Sequence, residues 1–335
     1  MGDNVSTEHG GKYVKQISHL AKLKGPIRLN LELAPSIGIC DVPLRSGGRK
    51  PEFACPKHFV EIIERFSRRE ILTFALIMPD ILLILKDNSD SIGAISGKIN
   101  ETEALLSINS AVSSRQSVLM LKEGVVEFSS KLLDLNIDYV VLYVDLELLP
   151  IVSEGIGRLA KSLMGELSYL QLCSDLPRTA SQTEKLVTCT REIVRISELF
   201  PINLALVNRG EGSIEDFAEL LLALESLGFP GTPLVKPPLP FCLSSLLKSS
   251  YSASNPGICP ARDICLTIDS SGNGVPCLHN RQPSLSNWDI STDSWKRYKD
   301  DFIRTANFRM LDGCNACEIQ RYCMGLCDIW QASKR

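Results

Sequence analysis

Before about Pro237 the chain alternates apolar, β-branched runs with amphipathic stretches. The strand-like runs cover 27–33, 72–77, 117–121, 139–144, 169–173 and 202–207, with a short one at 232–236. Between them, apolar positions recur at helical spacing over 59–66, 101–112, 125–135, 151–163, 183–199 and 214–227. Several strand runs are apolar almost without interruption, as parallel strands covered on both faces must be. Repeated βα units of this kind predict an α/β fold, an open or partial (β/α) barrel of about six units. Gly228 stands where the C-cap glycine of the last helix belongs. The segment 81–85 suits strand and helix equally.

The pattern changes around 230–240, where five prolines fall in eleven residues and a Ser-rich stretch, 244–254, follows. Such a stretch reads as a linker or wrapping loop. Two domains are expected: a partial barrel over 1–240 and a small cysteine-rich module over 241–335. Beyond the linker helical periodicity is weak, so the module needs a staple other than a core of its own.

Composition narrows the partners. Of 335 residues, 44% are hydrophobic and 22% charged, the balance of a globular protein with a substantial core. A net charge of −3 with no basic run leaves no electrostatic footprint for nucleic acid or an anionic membrane surface. Pro79, Asp80 and Lys86 interrupt the most apolar segment before it reaches a membrane-spanning length. The first 25 residues are polar and lack the apolar core of a secretory signal, so a cytoplasmic address is expected.

Cysteine placement carries the chemistry. Seven of the twelve cysteines lie between Cys259 and the C-terminus. Without an export signal, clustered thiols point to metal rather than disulfides. Cys314-x2-Cys317-x5-Cys323-x3-Cys327 places four thiols within fourteen residues. Upstream stand Cys259-x5-Cys265 and Cys277, the last preceded by Ser270-Ser271-Gly272-Asn273-Gly274. That Gly-rich segment marks a tight turn returning Cys277 toward Cys265. Thiolates are soft ligands, so the spacing leaves zinc and iron–sulfur open and disfavours magnesium or calcium. Isolated Cys55, Cys173 and Cys189 read as small core residues, and His279 as a loop histidine.

Cys259-x12-Gly272-x4-Cys277, a gap, and then the Cys314–Cys327 run resembles the SPASM domain carried behind radical-SAM peptide-modifying enzymes. That resemblance implies a [4Fe–4S] cluster on Cys259, Cys265, Cys277 and Cys327. It assigns Cys314, Cys317 and Cys323 to a second cluster whose fourth cysteine, expected downstream, does not occur in the eight residues after Cys327. Asp328 or a partner residue would have to complete it.

The same resemblance exposes what the barrel lacks. The radical-SAM family places three cysteines, spaced x3 and x2, after the first strand, and the cluster they hold binds S-adenosylmethionine. Here 27–33 resembles that strand, but with Cys40 in the middle position Ser36 and Pro43 take the other two. One thiolate cannot hold a four-iron cluster. The GGEP-type turn after the second strand is missing as well, Phe74-Ala-Leu-Ile-Met-Pro-Asp80 standing there instead. S-adenosylmethionine binding and independent radical chemistry are therefore not expected. The implied role is an iron–sulfur accessory protein in a peptide- or protein-modifying system, working beside a complete radical-SAM enzyme and a peptide substrate. The alternative is a zinc- or cluster-stapled peptide-binding module. No substitute catalytic motif occurs, and Asp145, Glu147 and Lys236 at strand ends read as ordinary loop residues.

Overall fold

The computed structural model describes residues 25–46, 54–66, 71–84, 89–164, 169–198, 202–210, 213–238, 259, 261, 264–282, 284–285, 292–305 and 327. The expected linker at 244–254, Cys242, and the trio Cys314, Cys317 and Cys323 lie outside them. The described strands are β1 (Arg28–Glu32), β2 (Ser36–Ile39), β3 (Val42–Ser46), β4 (Thr73–Met78), β5 (Leu105–Val112), β6 (Tyr139–Val144), β7 (Tyr169–Asp175), β8 (Ile202–Val207), β9 (Gly231–Lys236), β10 (Cys265–Ile268) and β11 (Gly274–Val275). The described helices are α1 (Pro56–Phe66), α2 (Ser89–Asn100), α3 (Arg115–Glu123), α4 (Val125–Asp134), α5 (Leu149–Ser162), α6 (Ala180–Ser197), α7 (Ile214–Ser226) and α8 (Thr292–Thr305).

The chain forms the expected α/β fold with a parallel sheet. Nine strands run in the order β11-β10-β1-β4-β5-β6-β7-β8-β9. Every pairing from β10 to β9 is parallel, and only β10 with β11 is antiparallel. β10 lies beyond residue 240 yet pairs with β1, so the sheet continues through the cysteine-rich segment.

Two predicted elements change identity. Residues 105–112, expected as part of a helix, form β5, and 117–121, expected as a strand, belong to α3. In β5 the buried Ser107, Asn109 and Ser110 break the apolar run that would have marked a parallel strand. The polarity of Ser107 and Asn109 suits the sheet interior that they line with Ala111, whereas Ser110 shares the outer face of Leu106 and Ile108. In α3 the Ser114–Ser117 capping box fixes the helix start, a signal stronger than the β-branched residue beside it. The undecided segment forms a single 3-10 turn at Ile81–Ile84, and α2 arises in a stretch with no predicted element.

Helix ends follow sequence cues. Ser213 and Asp216 make a capping box on α7. At its other end Gly228 has φ +62° and donates to Glu225 O, while the Phe229 N–H reaches Leu224 O. This is the Schellman arrangement, with Phe229 and Leu224 both in the core. Leu106, Ile108, Leu142, Leu172 and Leu204 face the helices on the outside of the sheet.

The sheet is strongly curved. β1 and β9 are separated by six strand intervals, about 29 Å if flat. A single carboxylate nevertheless reaches both: Asp41 lies 2.6 Å from the Arg28 guanidinium on β1 and 2.7 Å from the Lys236 ammonium on β9. The strands must wrap around Asp41 for this to hold. The architecture is a partial barrel with an occupied interior.

Candidate functional site

The interior is occupied by the hairpin β2–β3, which follows the first barrel strand directly. Ile39 and Val42 pack against Ala111, Val141, Tyr143, Cys173, Ala205 and Val207 on four successive strands. At its tip Cys40 has φ +57° and Asp41 points into a polar ring. The Asn109 amide donates to Asp41 O at 2.9 Å, and Arg28 and Lys236 neutralise the carboxylate. Burial alone would raise the Asp41 carboxyl, but Lys236 and Arg28 outweigh it and hold it well below the usual carboxylate range. Burial would likewise lower Lys236, and Asp41 reverses that, leaving the ammonium above its ordinary value. Lys236, expected as an ordinary loop residue, is thus a buried partner of the hairpin tip.

The two non-cysteine positions of the family's cofactor motif are committed elsewhere. The Ser36 hydroxyl donates to Glu32 at 2.7 Å, and Pro43 sits in β3 opposite Gly38. Glu32 has a fully buried side chain and also accepts both terminal nitrogens of Arg281, at 3.0 and 2.8 Å. Arg281 donates further to Ser36 O at 2.8 Å, so it clasps β1, the hairpin and the cysteine-rich segment together.

Cys265 and Cys277 flank the β10–β11 hairpin. Cys265 opens β10 and is buried. The expected turn forms: Asp269 Oδ1 accepts the Ser271 and Asn273 N–H groups, and β11 returns antiparallel, with Cys277 just beyond it. The Asn280 N–H donates to Cys277 Sγ at 3.2 Å. Burial pushes the Cys259 thiol up, and Cys277, then Cys327 and Cys265, raise it further. Burial also drives Cys265 up to about 12, with Arg28 opposing. Cys40 is raised by burial, then by Cys259 and Cys277.

Among the described residues no three His, Cys, Asp or Glu side chains stand at metal-ligating geometry. The donor chemistry nonetheless suits a thiolate-bound cation. Cysteine thiolates are soft donors of the kind that bind zinc or iron–sulfur centres. The Tyr298 hydroxyl on α8 points the same way. Among the described residues it is buried without a hydrogen-bond partner, and its O–H is raised by burial and then by Cys277, Cys259 and Cys265. A sulfur anion is the acceptor such a donor lacks. Cys173 and Cys189 are buried single thiols, as expected, whereas Cys55 is exposed.

A second feature lies over the C-terminal ends of β6, β7 and β8. Asp145, Glu147, Asp175, Arg178 and Arg209 line a cavity of about 430 Å³. Arg209 stands 3.7 Å from Asp145 and 3.6 Å from Asp175, and the Tyr143 hydroxyl donates to Asp175 at 2.9 Å. Burial raises Asp175 despite the Tyr143 and Arg209 contacts. The sequence had placed Asp145 and Glu147 at this end of the barrel without assigning them a role.

Asp41, Arg28, Asn109, Glu32, Arg281 and Tyr298 were not singled out by sequence. One signal was present: Arg28, Asn30 and Glu32 alternate with leucines in β1, a polar inner face inside an apolar strand.

These features define an α/β protein whose curved parallel sheet encloses a hairpin and carries cysteines beside β10 and β11. No family model matches the chain, and no curated protein matches it either. Solved structures do. SuiB of Streptococcus suis bound to S-adenosylmethionine is similar at 14% identity over 96% of this chain and 77% of that one, with a TM-score of 0.57. The same protein bound to precursor peptide SuiA matches at 14% identity over 98% and 79%, with a TM-score of 0.55. Native anSMEcpe with bound AdoMet matches at 12% identity over 92% of each chain, with a TM-score of 0.53. At such identities the likeness is one of fold.

No helix among the described residues is long and apolar enough to cross a membrane.

Proposed function

We propose that this chain is a sulfur-ligated metal protein of a radical-SAM peptide-modification system, working as an accessory rather than as an independent radical-SAM enzyme. The observation that carries the reading is the filled barrel. The hairpin after β1 occupies the place from which the family presents its cofactor cluster, and Asp41 is locked there by Arg28 and Lys236. Ser36 and Pro43 offer no thiolates, and the hairpin's apolar face covers the inner strands.

The thiol group supports the second half of the reading. Cys259, Cys265, Cys277 and Cys327 would hold a [4Fe–4S] cluster in the segment after residue 240, which is proposed as a functional unit although its strand β10 joins the barrel sheet. Such a cluster supplies one-electron transfer or an anchoring point for a substrate when bound. The chain's own part is to bury the sulfurs, exclude water and offer Tyr298 as a donor. Fold likeness to proteins solved with S-adenosylmethionine and with a precursor peptide supports placing the chain among peptide-modifying systems. Its partner would be a complete radical-SAM enzyme, with the peptide as shared substrate. Cys314, Cys317 and Cys323 would form an incomplete second site that such a partner could complete.

Two measurements test this. Anaerobic reconstitution should give iron and sulfide at about four each per chain. Stoichiometric zinc without sulfide would replace the cluster with a structural staple and favour the peptide-binding module. Under strong reductant the chain alone should release no 5′-deoxyadenosine from S-adenosylmethionine above background. Release would show that the hairpin leaves the barrel and recruits a cluster.

A further inference from the structure

The barrel wall presents two cations and an amide to a single carboxylate of the hairpin. We infer that Arg28, Asn109 and Lys236 form a carboxylate-binding site inside the barrel, that Asp41 is its built-in occupant, and that an acidic residue of a peptide exchanges with Asp41 there. The carboxylate chemistry stands on the geometry alone, whereas the naming of a peptide rests on the proposed role in peptide modification.

The donors belong to the wall and not to the hairpin: Arg28 to β1, Asn109 to β5 and Lys236 to β9. They converge on the Asp41 carboxylate, the guanidinium at 2.6 Å, the ammonium at 2.7 Å and the Asn109 amide nitrogen at 3.3 Å. Other wall residues aim two of them. Arg28 Nε donates to Asn30 Oδ1 at 3.0 Å, and Asn30 in turn donates to Thr267 Oγ1 at 3.1 Å. Asn109 Oδ1 accepts the Ser107 hydroxyl at 2.7 Å, which turns its amide nitrogen toward Asp41. The wall thus orients its donors through contacts that do not involve the hairpin, as a site organised before its ligand arrives does.

The hairpin is seated as a ligand would be. Among the described residues β2 and β3 pair with each other and form a sheet separate from the nine-stranded one. Beside Asp41, Ile39 and Val42 pack on the apolar inner wall of Ala111, Val141, Cys173, Ala205 and Val207. The Cys40 and Ser36 carbonyls accept from Leu278 and Arg281, which tie the hairpin to the C-terminal segment rather than to the wall. From Ile39 to Val42 the interior therefore accepts an acidic residue flanked by branched apolar ones, and a peptide of that pattern offers the same groups. Removing the anion from two enclosed cations is costly, so an entering carboxylate has to replace Asp41 rather than find the site empty. The exchange swaps one carboxylate for another and leaves the interior charge unchanged. Glu32 does not compete, since Arg281 and Ser36 hold it.

The test uses the full chain and needs no metal, so its outcome is independent of the iron and zinc measurements. Asp41→Ala should melt at a higher temperature in acetate than in chloride at equal ionic strength, whereas wild type and the double variant Asp41→Ala/Lys236→Met should not distinguish the two salts. Circular dichroism establishes that the variants are folded. On the wild-type chain, acetyl-Ile-Ala-Asp-Val-amide should speed amide hydrogen exchange across the hairpin by about twofold or more, and its Asn counterpart should leave exchange unchanged. Acetyl-Ile-Ala-Ala with a free C-terminus separates a terminal carboxylate from a side-chain one, and acceleration by either carboxylate peptide supports the site and identifies its source. If Asp41→Ala does not fold, the wild-type exchange decides alone. No acetate effect in a folded Asp41→Ala chain overturns the carboxylate site. Equal acceleration by the Asn peptide overturns it too, because apolar displacement would then suffice. An acetate effect with hairpin exchange indifferent to every peptide overturns the inference by making Asp41 a permanent brace, and leaves the metal reading untouched.

Discussion

Asp41 and Lys236 are mostly shielded from water, with side-chain exposures of 14% and 17%, and each keeps its charge because the other is present. A carboxylate held low in the fold stabilises it above the unfolded value of about 4, and that contribution fades as pH falls toward the folded value. A lysine held high contributes fully below about pH 10.4 and loses its contribution as pH rises through the folded value. The pair is therefore at full strength from about pH 5 to about pH 10. Asp41→Asn should cost about 3–5 kcal/mol at neutral pH, because it strands a buried ammonium. Urea denaturation should show the gap to wild type narrowing below about pH 4; a gap indifferent to pH would assign the loss to packing. Tyr298 gives a second residue-scale expectation. In the metal-free chain Tyr298→Phe should leave the melting temperature unchanged or raise it slightly, since an unsatisfied buried hydroxyl is removed. With a cluster bound, loss of the O–H donor should move the reduction potential to more negative values, and an unmoved potential would mean the hydroxyl faces something else.

At the scale of elements, the hairpin β2–β3 decides what the barrel can do. Gly38 is fitted to its place by close approach: a Cβ there would lie 2.4 Å from Val42 O and 2.6 Å from Leu278 Cδ1. The first atom belongs to the backbone, so the hairpin or the segment after Cys277 must move to accept a methyl. Gly38→Ala should destabilise the chain by about 1–3 kcal/mol, read as a fall in the urea midpoint. An unchanged midpoint would show that the hairpin is loosely seated. The elements also show where sequence legibility stops. The boundaries of β6 and β8 are legible because both are nearly unbroken apolar runs. β5 is not, because Ser107 and Asn109 face a polar interior, and no local pattern distinguishes a buried polar residue from a solvated one.

At the scale of the whole molecule, Arg281 and Glu32 join segments 249 residues apart, and β10 extends the sheet next to β1. The C-terminal segment thus has anchors besides any metal. If the metal is the dominant one, Cys265→Ala or Cys327→Ala should open 245–335 to limited proteolysis, while Cys189→Ala, a packing change in α6, leaves it resistant. Equal resistance in all three variants would give the structural role to the sheet and the Arg281 clasp.

The sequence alone determined the α/β class, most strand and helix positions, the gathering of cysteines in the last third, and the lack of cofactor thiols after β1. Those features rest on local periodicity, on spacing, or on which side chains carry sulfur, and each can be read within a short window. Only the tertiary structure decided that the segment after β1 folds into the barrel, that Asp41 meets a lysine 195 residues away, and that the Leu278 N–H meets the Cys40 carbonyl. Curvature of the sheet brings these groups together, and curvature depends on how all the strands pack at once. An ion pair across a barrel leaves no mark in the residues beside either partner, because the polar side chain that makes it is chosen by what stands opposite in space.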